Sequence, residues 1–237
     1  FIGWWFGKKI ITHIFKNYDL KFNIKEFDDF ITYIIISLII GGRIGYVIFY
    51  NIEYFILNPL DIFKIWEGGM SFHGALIGII LGTYLFSKKR NIPVFFLLDI
   101  VACVSPIGIF FGRIANFING ELIGKVTTLS WGVIFPAAGM LPRHPSQLYE
   151  AMLEGLVLFL ILIYFKNKKF LNRPGLISSV FLIFFSIFRI ICEFFRVPDQ
   201  QLGYLLFDLS MGQIISVIFM ISGILLFYLK NENEIIK

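Results

Sequence analysis

Three groups of residues in this chain have the types and spacing for chemistry. Arg189, Glu193 and Arg196 stand four and three residues apart, so on a helix they form one stripe. Two guanidinium groups against one carboxylate leave a net positive charge, which favours an anionic ligand; the alternative is a structural ion pair. The second group is Gly112-Arg113-Ile114-Ala115-Asn116-Phe117-Ile118-Asn119-Gly120-Glu121. If helical, it puts Arg113 and Asn116 on one face, and Gly120 and Gly124 let the backbone turn as it leaves the helix. Arg113 offers a planar fork of donors to a phosphate, with Glu121 near enough to orient it; the alternative is an interfacial arginine that snorkels. The third is His73, in Gly68-Gly69-Met70-Ser71-Phe72-His73-Gly74-Ala75. It can take or give a proton near neutral pH, or serve as a hydrogen-bonded structural histidine. The flanking glycines let a substrate or another helix come close. A polar, proline-bounded stretch, Leu141 to Glu150 with Arg143 and His144, reads as a shaped loop.

Metal and cofactor chemistry find no support in these residues. The three histidines are far apart, and Cys103 and Cys192 lack ligand spacing. Both cysteines sit in apolar runs and read as small hydrophobic residues. A Walker loop, a nucleophile elbow, a dinucleotide fingerprint and the carboxylate-rich motif of magnesium-dependent phosphatidyl alcohol transferases are all missing. The expectation is a mechanism with no metal and no cofactor.

The elements that must position these groups are membrane helices. Of 237 residues, 57% are hydrophobic and only 16% charged, against about 25% charged in soluble domains. That much apolar surface exceeds what one soluble core of this size can bury. Apolar runs fall at Phe30–Tyr50, Met70–Phe86, Val94–Gly112, Ala151–Phe165, Gly175–Phe195 and Leu205–Leu229. Each suits a transmembrane helix. The short run Phe1–Gly7, followed by Lys8 and Lys9, reads as the tail of a truncated first span. The fold class is therefore all-α and polytopic, as one domain over residues 1–237, with 113–150 as an outer loop region.

The net charge of +5 reports topology rather than nucleic acid. Fourteen of the 21 basic residues lie in 8–25, 88–90, 166–173 and 230–237. The positive-inside rule places those segments, and the C-terminus, in the cytoplasm. The other seven are Arg43, Lys64, Arg113, Lys125, Arg143, Arg189 and Arg196, all on the outer side or in the outer half of a span. His73, Glu150, Glu154 and Glu193 reach the same depth, with Asp208 and Gln213 opening the final helix; Asp99 is the exception, near a cytoplasmic end. Charge inside a bilayer is expensive and marks function. The expectation is a polar, cationic pocket in the outer leaflet, reached from lipid.

In these residues the chain resembles the bacterial prolipoprotein diacylglyceryl transferases. The resemblance runs through Gly41-Gly42-Arg43-Ile44-Gly45-Tyr46, Gly68 to Gly78 with His73, the signature Gly112 to Gly124 (Gly-Arg-x-x-Asn-Phe-x-Asn-x-Glu-x-x-Gly), and Arg143-His144-Pro145-Ser146-Gln147-Leu148-Tyr149-Glu150. Arg189 through Asp199 and Ser210-Met211-Gly212-Gln213 continue it in order. It implies a seven-helix enzyme of the bacterial inner membrane, with its active site toward the periplasmic leaflet. That enzyme moves the diacylglyceryl group of phosphatidylglycerol to the lipobox cysteine of a prolipoprotein and releases glycerol 1-phosphate. By the resemblance, Arg113 holds the phosphatidylglycerol headgroup with Asn116, Glu121 and the signature's last residue, Gly124. Arg189, with Glu193 and Arg196 beside it, stabilises the leaving phosphate, and His73 is the candidate base. Arg43, Arg143 and His144 are supporting residues.

Two departures stand out. The family's first helix begins upstream of Phe1 and carries a tyrosine in a Trp-Tyr-Gly segment, so an incomplete chain is expected. Phe185 stands where relatives often have tyrosine. The competing classes are a transporter or lipid-binding protein with the same anion pocket, and a structural subunit. The paired halves typical of transporters are not seen, and buried charges have no use in a purely structural subunit.

Overall fold

The structure, a computed structural model, describes residues 1–17, 24–50, 52–167, 170, 173–198 and 208–231, with the side chains of 13–17, 72 and 73 excepted. Its longer elements are helices: α1 (Ile2–Asn17), α2 (Ile24–Tyr50), α3 (Ile52–Leu57), α4 (Phe72–Arg90), α5 (Val94–Asn119), α6 (Ser146–Asn167), α7 (Leu176–Glu193) and α8 (Met211–Asn231). Among the described residues, five are long and apolar enough to cross a membrane: α2, α5, α6, α7 and α8. Their outer faces carry large apolar side chains with no protein cover, such as Ile35, Ile36 and Ile40 on α2 and Ile218, Ile221 and Leu225 on α8. A soluble monomer rarely leaves such continuous patches exposed; helices that cross a membrane do.

Several boundaries differ from the sequence reading. Met70–Phe86, expected to be a further span, is the 19-residue α4, which takes Lys88, Lys89 and Arg90 into its last turn and does not join the five. The apolar opening is not a seven-residue fragment followed by a loop, because α1 continues through Lys8 and Lys9 to Asn17. The outer loop region is shorter than 113–150. Helix α5 keeps Arg113, Asn116 and Asn119, and α6 already begins at Ser146. The last span starts at Met211; Asp208 precedes it with a φ of 56°, and Leu205 lies outside the described residues.

The chain forms two compact units, Lys8–Leu98 and Phe1–Gly7 with Asp99–Lys237. In the first, α2 and α4 meet backbone to backbone. A Cβ on Gly45 would lie 2.6 Å from Gly74 Cα, and one on Gly41 would lie 2.8 Å from Gly78 Cα. The residues recur every four positions on both helices, the small-xxx-small pattern by which membrane helices approach closely. Ser71 caps α4 by accepting from Gly74 N–H at 3.2 Å, and Asn91 ends it in the left-handed conformation. In the second unit, Asp99 of α5 caps the start of α7. Its carboxylate accepts from Gly175 N–H, Ser178 N–H and the Ser178 hydroxyl at 2.6–2.8 Å. This accounts for Asp99, the exception among the polar groups that the sequence placed in the spans.

Candidate functional site

The second unit gathers six charged side chains from three helices and the segment after α7. Glu150 and Glu154 project from α6 where it widens into a π-helical stretch, Ala151–Val157. Such i→i+5 turns occur mostly inside α-helices, often at functional sites. Both carboxylates are 0% exposed. Arg113 of α5 reaches Glu150 with Nε at 2.8 Å and Glu154 with Nη2 at 3.3 Å. The Nε contact is electrostatic rather than a directed hydrogen bond. Arg189 of α7 meets the same two carboxylates with Nη1, at 3.1 and 3.5 Å. Its Nη2 binds Glu193 at 2.5 Å. Arg196 adds Nη1 at 3.4 Å from Glu150 and 3.9 Å from Glu193.

Two expectations change here. The stripe of Arg189, Glu193 and Arg196 is not left cationic, because Glu150 and Glu154 join it and the count becomes three guanidinium groups to three carboxylates. Arg113 is not oriented by Glu121, which instead accepts from Asn116 Nδ2 at 2.8 Å and Asn119 Nδ2 at 3.4 Å. The reason is geometric. Glu121 lies past the end of α5, beyond Gly120 with its positive φ, where it faces back onto the helix's last turn rather than toward α6.

The cluster is framed by extended backbone. Gly124 bridges Arg196, with Lys125 N–H donating to Phe195 O at 2.8 Å and Val197 N–H to Ile123 O at 3.2 Å. On its other side His144 N–H donates to Lys125 O at 2.9 Å. A Cβ on Gly124 would strike His144, 2.9 Å from its carbonyl carbon, so the signature's last glycine serves close packing. Ser146 Oγ donates to Leu122 O and Gln147 Nε2 to Glu121 O, which tie the start of α6 to the same strand. Arg196 therefore stands outside α7 yet keeps its helical neighbour Glu193.

Arg143 and His144 lie at the edge of this frame. Arg143 donates to Gly124 O at 3.2 Å and Ala138 O at 3.4 Å. Trp131 Nε1 donates to the Tyr149 hydroxyl at 2.8 Å, and that hydroxyl lies 3.3 Å from His144 Nδ1. Since indole only donates, the Tyr149 hydroxyl accepts from Trp131 and keeps its own hydrogen for a bond to the His144 ring. Beside this chain is an apolar hollow of about 410 Å³ lined by His144, Tyr149, Met152, Leu153, Cys192 and Phe195, among others. Trp131 thus has a specific partner in Tyr149. Cys103 and Cys192 are both buried and unpaired. Phe185 is buried and stacks on Phe181, with ring centres 5.5 Å apart.

The remaining two expected residues belong to the first unit. Arg43 is 6% exposed and is held by four carbonyl contacts: Nε to Ile62 O at 2.8 Å, Nη1 to Gly68 O and Gly69 O at 2.6 and 3.2 Å, and Nη2 to Asp61 O at 2.6 Å. The Phe55 ring lies 5.2 Å below its guanidinium carbon. His73 occupies the first turn of α4; its side chain lies outside the described residues. Glu150 and Glu154 are the partners the sequence reading left without a role. Their signal was present: two acids four apart at the head of an apolar run.

Membrane-length helices, with arginines held against buried carboxylates in the second unit, mark a membrane protein with a buried charged cluster. The chain belongs to the prolipoprotein diacylglyceryl transferase family, which it matches over residues 1–229. It is 52% identical over 224 residues to the phosphatidylglycerol–prolipoprotein diacylglyceryl transferase of Rickettsia akari and 53% identical to that of Rickettsia felis. In each case the match covers 94% of this chain and 85% of the relative. The enzyme of that name from Rickettsia typhi is 51% identical over the same span.

Proposed function

We propose that this chain transfers the diacylglyceryl group of phosphatidylglycerol to the thiol of a prolipoprotein's lipobox cysteine, with the arginine–glutamate cluster as its site. Family membership supports the reaction. The observation that supports the site is that Arg113 and Arg189, from different helices, are fixed side by side by the same two buried carboxylates. Arg113 remains 18% exposed along its side chain, and its Nη1 has no partner among the described residues. An open donor edge on a pre-positioned guanidinium is what an incoming phosphate needs.

In the reaction, the cysteine sulfur attacks the glycerol carbon of the diacylglyceryl unit. A C–S bond forms, the C–O bond to phosphate breaks, and glycerol 1-phosphate leaves with the electron pair. The thiol, with an ordinary pKa of about 8.5, must lose its proton for this, and His73 is the acceptor we assign to it. Charge then gathers on the departing phosphate oxygens. Donors already aimed at that position need no reorganisation, which is where such sites gain most. Arg113 holds the headgroup in the ground state, with Asn116, Glu121 and Gly124 shaping the wall beside it. Arg189, braced by Glu193 and flanked by Arg196, takes the growing charge. The site faces the periplasmic leaflet of the inner membrane, with the C-terminus in the cytoplasm and phosphatidylglycerol entering from lipid. Neither a metal nor a cofactor takes part.

The test is transfer of labelled diacylglyceryl from phosphatidylglycerol to a lipobox peptide by purified, detergent-solubilised protein. Arg113→Ala and Arg189→Ala are each expected to lower kcat by about a hundredfold or more. Near-full transfer by either variant would remove that arginine from the site. Lipid binding without cysteine-dependent transfer by the unaltered chain would replace the enzyme reading with a binding one.

A further inference from the structure

The start of α8 is built around the carboxylate of Glu193. Ser210 and Gln213 cap the helix reciprocally: Gln213 N–H donates to Ser210 Oγ at 3.2 Å, and Ser210 N–H donates to Gln213 Oε1 at 3.0 Å. This is the capping box, in which two otherwise unpaired N–H groups satisfy each other's side chains. A cap needs only the oxygen of the serine. The Ser210 hydroxyl proton goes elsewhere, to Glu193 Oε2 at 2.8 Å. Ser210, Gln213 and Glu193 are all buried, so this charge-assisted bond is shielded from water.

Gly212 completes the seat. A Cβ there would lie 2.7 Å from Glu193 Oε1 and 2.9 Å from its Cδ. Any larger residue would push the carboxylate off its place. Oε1 is the atom that binds Arg189 Nη2 and lies near Arg196 Nη1. The two carboxylate oxygens are thus divided: Oε2 is anchored by α8, and Oε1 is presented to the arginines.

We propose that Ser210 and Gly212 are positioning residues for Arg189, acting through Glu193. This rests on the reading of Arg189 as a phosphate ligand given above. The hydroxyl fixes the rotation of the Glu193 carboxylate, and the missing side chain at 212 fixes its distance from α8. Together they set where the Arg189 guanidinium stands when no substrate is bound. Neither residue need touch substrate.

A merely structural cap and a positioning residue make different predictions for three substitutions. Ser210→Ala removes both roles. Ser210→Thr keeps both. Ser210→Asp keeps a good capping oxygen but cannot donate to Glu193 and sets a like charge against it. We expect Ser210→Ala to lower kcat about tenfold, as for loss of a hydrogen bond to a charged group, with a much smaller change in KM for phosphatidylglycerol. Ser210→Thr should stay within about twofold, and Ser210→Asp should fall at least as far as Ser210→Ala. Gly212→Ala should follow Ser210→Ala. Ser222→Ala, an exposed serine further along α8 bonded only to Ile218 O, is the control and should match the unaltered enzyme.

The deciding measurement is a double-mutant cycle with Glu193→Gln, since residues acting through one another are not additive. In the Glu193→Gln background, Ser210→Ala should have less than about a twofold further effect. An equal loss in both backgrounds, or Ser210→Asp retaining full activity, would overturn the proposal and leave Ser210 a helix cap. If Ser210→Ala does not fold, Gly212→Ala, which leaves the Ser210–Gln213 cap in place, carries the same cycle. Should Glu193→Gln by itself leave transfer unchanged, it is the assignment of the site that fails, and this inference falls with it.

Discussion

Arg43 is buried and Arg189 largely shielded, yet they are satisfied in opposite ways. Arg43, in the Lys8–Leu98 unit, spends its fork on the carbonyl oxygens of Asp61, Ile62, Gly68 and Gly69. Arg189, in the other unit, spends its fork on the carboxylates of Glu150, Glu154 and Glu193. Carbonyls are fixed parts of a backbone, so an arginine that binds four contacts of this kind stitches a loop together. Carboxylates are side chains that can share a guanidinium with another anion. The same residue type is therefore a clamp in one unit and, in the function proposed above, a centre that another anion can share in the other. Burial alone does not tell them apart; the chemical nature of the partners does.

Replacing each arginine by lysine puts the most strain on this contrast. Lysine keeps the charge but has no planar fork. Arg189→Lys is expected to lose about a hundredfold in transfer, because no single ammonium can meet three carboxylates and still face a phosphate. Arg43→Lys should lose less transfer and instead loosen residues 58–69, seen as roughly tenfold faster amide exchange there for a lost hydrogen bond or two. If Arg43→Lys equals Arg189→Lys in the transfer assay while exchange in that loop is unchanged, the distinction between clamp and centre is wrong.

A smaller effect is expected where two helices of the second unit touch. A Cβ on Gly155 would lie 2.8 Å from Phe110 Cα and 3.1 Å from its backbone nitrogen, and backbone cannot step aside as a side chain can. Gly155→Ala should spread α5 from α6, destabilise the fold by about 1–3 kcal/mol, and lower transfer by stretching the Arg113 contacts to Glu150 and Glu154. Thermal melting in detergent and the transfer assay report the two parts separately. Unchanged melting would mean that this crossing is not tight.

The smallest expected effect belongs to the clamp itself. Asp61 lies beside Lys64, 2.7 Å away, and also accepts from the Tyr54 hydroxyl. The hydrogen bond from Lys64, then that from Tyr54, holds the Asp61 carboxyl below its ordinary range. A depressed folded pKa means the contribution to loop order is present above the ordinary carboxylate pKa and is lost as pH falls through the lowered one. Amide exchange across 58–69, corrected for its intrinsic pH dependence, should therefore stay flat through neutral pH and speed up only in strong acid. A rise already near neutral pH would contradict this.

Much of this arrangement is legible in the chain itself. The apolar runs announce membrane helices, and the glycines beside His73 announce the close approach of a substrate or another helix, which Gly74 makes with Gly45 of α2. The spacing of Arg189 and Glu193 correctly places them one turn apart at the end of α7. The pairing of Arg113 and Arg189 with Glu150 and Glu154 was not legible, because those partners are 35 to 41 residues away in sequence. Spacing rules describe neighbours on one helix and are silent about which helices meet. For the same reason Glu121, near Arg113 in sequence, was an attractive but wrong partner for it. Helix ends were misplaced wherever polarity rises before the helix stops, as at Arg113–Asn119 and Lys88–Arg90.

The π-helical stretch of α6 has one consequence for the gene. Each of its hydrogen-bonded rings encloses one residue more than an α-turn. Loss of a single codon between Ala151 and Val157 would let the ladder close as ordinary α-helix. A π-turn advances less per residue than the ~100° of an α-turn, so about six α-helical residues sweep the angle of seven π-helical ones. Glu150 would keep close to the face from which it reaches Arg113, Arg189 and Arg196. Apolar exchanges at lipid-facing positions such as Met152 or Leu156 leave that register intact. Along these seven residues, loss of one codon is expected to be better tolerated than elsewhere in α6, where it would turn one end by about 100° against the other.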